Sequence, residues 1–404
     1  MKRKNLLRVV PSTGARIAAL LTLLFVIAPQ GAGAEEAKRP PAATPSPSSP
    51  SKKPSSSSSS LSSDLSRLAE AAVKDGRTAG ISFVVTKGGN VVASGAYGFA
   101  DLENRVPATV DTAYAIGSLT KTFTAAAVLA LADDGKLSLD DPLGKFVPSF
   151  PEPGRSATVR QLLNHTSGIR SMTSLGSRYW AQAGREIEPA DLVTIFANEP
   201  SDFAPGSAYR YSNSGYVLLG LVVEKASGMP WGAYVAKRLL APLGLAGTRD
   251  GQGAELVPGR AHGTSRTKVG GFENAWHVSL TQGYAAGALL STAPDVAAWI
   301  RRLLVKPPLS AASARAMTTP GALPDGKTLS YGYGVGIDTF AGRRRLFHGG
   351  GLPGFDAWAA FVPGDDLAVA VLCNTDGNAA MEVADEMAGL VLGAPGAKTQ
   401  RPGP

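Results

Sequence analysis

The sequence predicts an α/β (α+β) fold: an antiparallel sheet drawn from both chain ends, flanked by helices, with a mostly helical lobe inserted between them. Three observations carry this. Two β-rich runs lie early, at residues 80–86 and 91–98. Residues 137–305 are mostly helical in pattern, broken by Gly and Pro, and after residue 331 alternating or continuously apolar runs return. Strands at both ends with helices between them imply one sheet that closes around an insertion.

The elements follow in order. Residues 1–34 read as an export signal. Lys2, Arg3, Lys4, Arg8 and Arg16 precede an apolar run over 17–28, and Ala32-Gly33-Ala34 fits small-residue cleavage. That run falls short of the roughly 20 residues a membrane span needs. A cleaved signal is therefore favoured over an uncleaved anchor, no stable membrane insertion is expected after its removal, and the mature protein is expected to be secreted or periplasmic. Residues 35–63, mostly Pro, Ser, Ala and Lys, carry too little apolar surface to fold and are expected to be a disordered tether. Residues 64–395 form the folded domain, and 396–404 a disordered tail.

Within the folded part, residues 61–74 read as an amphipathic helix with Leu61, Leu65, Leu68, Ala72 and Val73 on one face, stopped by Asp75-Gly76. Lys87-Gly88-Gly89-Asn90 joins the first two strands as a hairpin. A helix opens at Ser118 and runs through an Ala- and Leu-rich stretch to about Asp134-Gly135. Residues 216–225 and 295–304 are further helices. Residues 331–337, 344–348, 355–361 and 368–374 read as strands, and 379–392 as a closing helix. Arg343-Arg344-Arg345 reads as a solvated turn between strands, and Cys373, in an apolar run, as a small core residue.

Charge and composition exclude several functions. The formal charge of +8 is misleading, because five cations lie in the first 16 residues and four more, against two glutamates, between 35 and 53. From Ser60 onward the chain carries only +1, so no nucleic-acid partner is expected. The four histidines are scattered, without His-Glu-x-x-His or Cys-x-x-Cys, so neither a metal nor another cofactor is expected. There is no Gly-x-Ser-x-Gly, which rejects an α/β-hydrolase reading of His348-Gly349-Gly350-Gly351. Asp140-Asp141 reads as a turn into a helix rather than a paired-carboxylate site.

Chemistry concentrates in three ordered motifs: Ser118-Leu119-Thr120-Lys121, Tyr211-Ser212-Asn213 and His348-Gly349-Gly350. Serine needs a neighbouring base to act as a nucleophile, and residues three apart on a helix lie side by side. Ser118 would also sit at a helix N-terminus, where free amides favour developing negative charge. Ser-x-x-Lys alone is weak, since it recurs by chance at 49–52 and 265–268. The helical setting and the company of the other motifs single out Ser118. Gly349 to Gly351 leave room for a backbone or substrate to approach closely.

In this order the motifs resemble those of the serine β-lactamase and penicillin-binding family, in the class C β-lactamase branch that also holds D,D-peptidases, D-aminopeptidases and esterases. Leu162-Leu163-Asn164-His165-Thr166-Ser167-Gly168, residues 285–293 and Tyr331-Gly332-Tyr333-Gly334-Val335-Gly336 add to the likeness. The resemblance implies a β-lactamase/transpeptidase-like fold and a serine hydrolase working through an acyl-enzyme. It makes Ser118 the nucleophile, Lys121 its neighbouring base and Tyr211 the proton shuttle. Asn213 would hold Lys121 and the substrate amide, and the Ser118 and Gly351 amides would form the oxyanion hole. Whether Lys121 is itself the base, or stays charged and lowers the pKa of Tyr211, is left open at this level.

His348 stands where β-lactamases of this branch usually carry lysine. That shifts the expected substrate from β-lactams toward peptides with D-amino acids at a terminus, cell-wall peptide among them, or toward esters. A histidine titrating near 6.5 would also favour anionic substrates at pH 5.5 over pH 8. A class C-like β-lactamase and a non-catalytic receptor module on the same fold are the alternatives.

Overall fold

The computed structural model describes residues 56–398. The expected signal segment, the tether as far as residue 55 and the tail beyond residue 398 lie outside the described residues. Helix α1 (Ser56–Lys74) starts before the expected tether ends. Serine costs a helix only a few tenths of a kcal/mol relative to alanine, so the turn ahead of Leu61 is carried by the buried stripe of Leu65, Ala69 and Ala72. At the other end, Ala397 still packs against the core.

The sheet joins both chain ends as expected. Its strands are β1 (Gly80–Lys87), β2 (Asn90–Asp101), β3 (Val106–Pro107), β4 (Gly336–Phe340), β5 (Arg343–Leu352), β6 (Phe355–Val362) and β7 (Leu367–Cys373), in the spatial order β3-β2-β1-β7-β6-β5-β4. Every pairing is antiparallel. Gly88 and Gly89 make the two-residue turn between β1 and β2, both at positive φ (+58° and +78°), as a primed hairpin turn demands. β7 lies between β1 and β6 and is buried throughout, Cys373 included, which explains its unbroken apolar run.

One sheet face packs on α1 and the closing helix, through Ile81, Phe83, Val85, Trp358, Val369 and Val371. The other meets the inserted lobe. That lobe contains α2 (Thr120–Asp133), α3 (Asn213–Ser227), the single turn α4 (Tyr284–Gly287) and α5 (Ala293–Arg302); α6 (Ala379–Val391) is the closing helix. Between them run shorter helical turns and a small sheet of Tyr114–Ala115, Leu289–Ser291 and Arg249–Asp250. α2 is buried from Thr120 to Leu131. Its threonines are satisfied inside the core: Trp299 donates to Thr122 (2.7 Å), and Thr124 donates to the Ala285 carbonyl (2.7 Å). Among the described residues, no helix is long and apolar enough to cross a membrane.

Two sequence expectations change. Residues 331–335 are not a strand. Gly332 passes so close to Met317 that a Cβ would meet its carbonyl oxygen at 2.2 Å, and Gly334, at φ +71°, lies against the Lys121 carbonyl. The alternation there belongs to a loop that presses on α2. The arginine run is likewise no solvated turn, because it opens β5 and Arg345 is fully buried. The Arg345 guanidinium bonds Asp338 through Nε (2.9 Å) and Nη2 (2.5 Å) and Asp385 through Nη1 (2.7 Å), 4.4 Å from the Phe340 ring centroid. Removing one side of such a pair strands the other charges in the core. Arg345→Leu is therefore expected to cost about 3–5 kcal/mol in urea denaturation; a loss below about 1 kcal/mol would contradict this assignment.

Candidate active site

Ser118 sits in a short 3-10 turn, Gly117–Leu119, immediately before α2. Gly117 takes φ +48°, and β5 runs directly over this turn. A Cβ on Gly350 would fall 1.9 Å from the Ile116 oxygen, and one on Gly117 would fall 2.9 Å from the Gly351 nitrogen. Only glycines allow the two backbones to come this close. Ser118 and Gly351 thereby lie on abutting main-chain segments. β4 pairs with β5 only as far as Phe347, so this edge of β5 from His348 to Leu352 has no strand neighbour. It is the border of the site.

Lys121 lies one helical turn beyond Ser118, its Nζ 2.9 Å from Ser118 Oγ. Its other hydrogen bond is to the Ala286 carbonyl at 2.7 Å. The Tyr211 and Tyr216 rings flank it, with centroids at 5.0 and 5.6 Å. No acidic side chain pairs with it among the described residues, and complete burial holds its pKa well below the ordinary lysine value. A neutral amine accepts a proton from a serine hydroxyl. Tyr211 is also enclosed, and although its hydrogen bond with Ser118 works the other way, burial pushes its phenol well above the usual range. The pair is thus a lysine whose charged form is disfavoured beside a phenol whose ionisation is disfavoured.

Tyr211 is placed by a residue that the sequence motifs did not single out. His165, at φ +62°, accepts a hydrogen bond from the Ser212 amide at Nδ1 (3.2 Å) and packs its ring 4.3 Å from Tyr211. Tyr209, Tyr216 and Tyr331 complete an aromatic cage around it. Burial, with lesser contributions from Lys121 and His348, holds His165 neutral. Only its place in the segment 162–168 pointed to it. Ala286 could not be found from side-chain chemistry at all, because it acts through its carbonyl.

Asn213 does not make the expected bond to Lys121. Its amide donates to Thr173 (3.0 Å) and its backbone N–H to Ser171 (3.1 Å). No hydrogen bond joins Asn213 to Lys121 among the described residues; Lys121 bonds Ser118 and the Ala286 carbonyl instead. The Gly349 to Gly351 expectation also narrows. A Cβ on Gly349 would meet the Trp358 ring at 2.9 Å, so the space at 349 and 350 is filled by the protein, and only Gly351 faces open space.

His348 is buried, with Nε2 2.9 Å from the Tyr331 hydroxyl and Nδ1 2.6 Å from the Gly349 carbonyl. Burial, then the neighbouring Lys121, lowers its pKa to about 3. It is neutral throughout pH 5.5–8 and cannot supply the pH-dependent anion preference expected from a free histidine.

A buried lysine beside a serine, a tyrosine behind both and a glycine strand at the border bring the three sequence motifs together in one cluster. The match to the Beta-lactamase family over residues 65–394 agrees, and the chain belongs to that family. It is 29% identical over 323 residues to the D-aminopeptidase of Brucella anthropi, covering 78% of this chain and 60% of that one. The octameric penicillin-binding protein homologue from Pyrococcus abyssi superposes with a TM-score of 0.72 at 30% identity, covering 83% of this chain and 78% of that one. A D-stereospecific amidohydrolase from a Streptomyces species gives 0.68 at 29% identity, covering 82% and 98%. The chain spans about three-fifths of the length of the curated relatives it matches.

For His348 the geometry has a direct consequence. The ratio of kcat/KM for an anionic and a neutral ester is expected to follow the same pH profile between 5.5 and 8 in His348→Gln as in the unmodified protein. An inflection lost on substitution would show that His348 titrates there.

Proposed function

We propose that this protein is a secreted or periplasmic serine hydrolase that cleaves amides adjoining a D-amino acid through an acyl-enzyme on Ser118. The observation that carries the reading is the buried Lys121 amine, 2.9 Å from Ser118 Oγ and with no acidic partner among the described residues. In this mechanism the Ser118 oxygen attacks the substrate carbonyl as its proton passes to Lys121. The Ser118 and Gly351 amides hold the oxyanion. Tyr211, which keeps its proton, delivers one to the departing amine as the carbon–nitrogen bond breaks, and takes one back from Lys121. Water then attacks the acyl-serine with the same groups in reverse.

Two features favour amides over β-lactams. His348 carries no charge, and Gly349 has no side chain, so neither offers a cation or hydroxyl for a substrate carboxylate. The named activities of the D-aminopeptidase and the D-stereospecific amidohydrolase point the same way. Secretion rests on the basic start, apolar run and small residues ahead of Glu35.

The test compares D- and L-alanine p-nitroanilide and benzylpenicillin, following product release and the intact protein mass. The D-anilide is expected to be hydrolysed at least ten-fold faster than the L-form, with a loss of about 10³-fold or more in Ser118→Ala and in Lys121→Ala. Equal rates for the two enantiomers, or penicillin turned over faster than the D-anilide, would reject the assignment.

A further inference from the structure

The strand that borders the active site has a second face. Along β5 the side chains alternate: Leu346 points into the core beneath the inserted lobe, whereas Phe347 and Gly349 point toward α1 and α6. On that second face lies a pocket of about 420 Å³, walled by Phe347, Gly349, Gly351, Asp356, Trp358 and Met381. It contains none of Ser118, Lys121, Tyr211 or His348.

Its floor is aromatic. Phe347 and Trp358 stack with centroids 5.0 Å apart at 18°, and glycine at 349 lets the Trp358 ring lie flat on the strand. Its one acidic wall residue is Asp356, directly opposite Gly351 in the β5–β6 register and 8% exposed. Asp356 accepts a hydrogen bond from the Ala380 amide (2.8 Å) but forms no ion pair among the described residues. Burial pushes its carboxyl up to about 7, with smaller contributions from the acidic Glu382 and Asp376 and against the Ala380 and Ala357 amides, which lower it. A carboxyl held this way gains from a cation, and an aromatic floor favours an apolar body; the Arg345 guanidinium already lies 5.3 and 5.9 Å from the Phe347 and Trp358 ring centroids, so the cation belongs on Asp356.

We propose that this pocket binds a primary ammonium carried on an apolar or aromatic body, with the ammonium on Asp356 and the body over Phe347 and Trp358. Because Gly349 and Gly351 wall this pocket, an occupant rests against the strand that carries the Gly351 amide.

The test is calorimetric titration at pH 8 of 2-phenylethylamine, with 2-phenylethanol as its neutral counterpart, into Ser118→Ala protein, so that no acyl chemistry enters. Binding here does not depend on the hydrolase reading, and neither result disguises the other. The amine is expected to bind at least ten-fold more tightly than the alcohol. Asp356→Asn, which keeps an acceptor for the Ala380 amide, is expected to reduce that preference below two-fold. Met381→Trp, which fills the pocket and leaves Asp356 in place, is expected to abolish amine binding. Equal binding of the two compounds, an amine preference that survives either substitution, or no binding at millimolar amine would overturn the proposal.

Discussion

The site depends on one electrostatic constraint, the burial of Lys121 without a counter-charge. An ammonium taken out of water loses solvation that only a carboxylate or several good acceptors can replace. Lys121 has one carbonyl, one serine hydroxyl and two aromatic rings, and so it is held as the amine. This costs stability in full below the lowered folded pKa, and the cost shrinks as pH rises from there to lysine's ordinary value, the range in which the unfolded chain binds a proton that the folded chain does not. The surrounding structure offsets it. α2 is enclosed on all sides, and its threonines are tied to Trp299, Trp231 and the Ala285 carbonyl.

The same burial settles the states of the neighbours. Tyr211 retains its proton and His348 and His165 carry none, so the inner site is almost without formal charge. In such a setting the growing negative charge on a substrate oxygen is the strongest local field, and it meets fixed backbone amides rather than mobile side chains. The close passage of β5 over the Ser118 turn supplies that rigidity, and it requires glycine at 117 and 350.

Much of this was legible in the sequence, and the exceptions have physical reasons. The Gly88-Gly89 turn, the unbroken run of β7 and the Ser118–Lys121 spacing each follow from local rules that tertiary context does not override. The loop 331–335 imitated a strand because glycines chosen for close contact with Met317 and Lys121 happen to alternate with larger residues. Arg345 looked like a surface charge because its two aspartates, Asp338 and Asp385, are separated from it in sequence and become partners only once the sheet and α6 assemble. His348 was given a free histidine's behaviour because burial cannot be read from a motif. The partner of Lys121 was assigned to Asn213, whereas a carbonyl, which every residue carries, holds the position.

The protonation state of Lys121 is directly measurable. Protein with ¹³C,¹⁵N-labelled lysine would be titrated by NMR from pH 6 upward, with the Lys121 resonance assigned by its loss in Lys121→Arg. At pH 7 Lys121 is expected to give the shift of a neutral amine. A Lys121 signal that stays that of an ammonium at pH 7 would rule out an amine held neutral by burial.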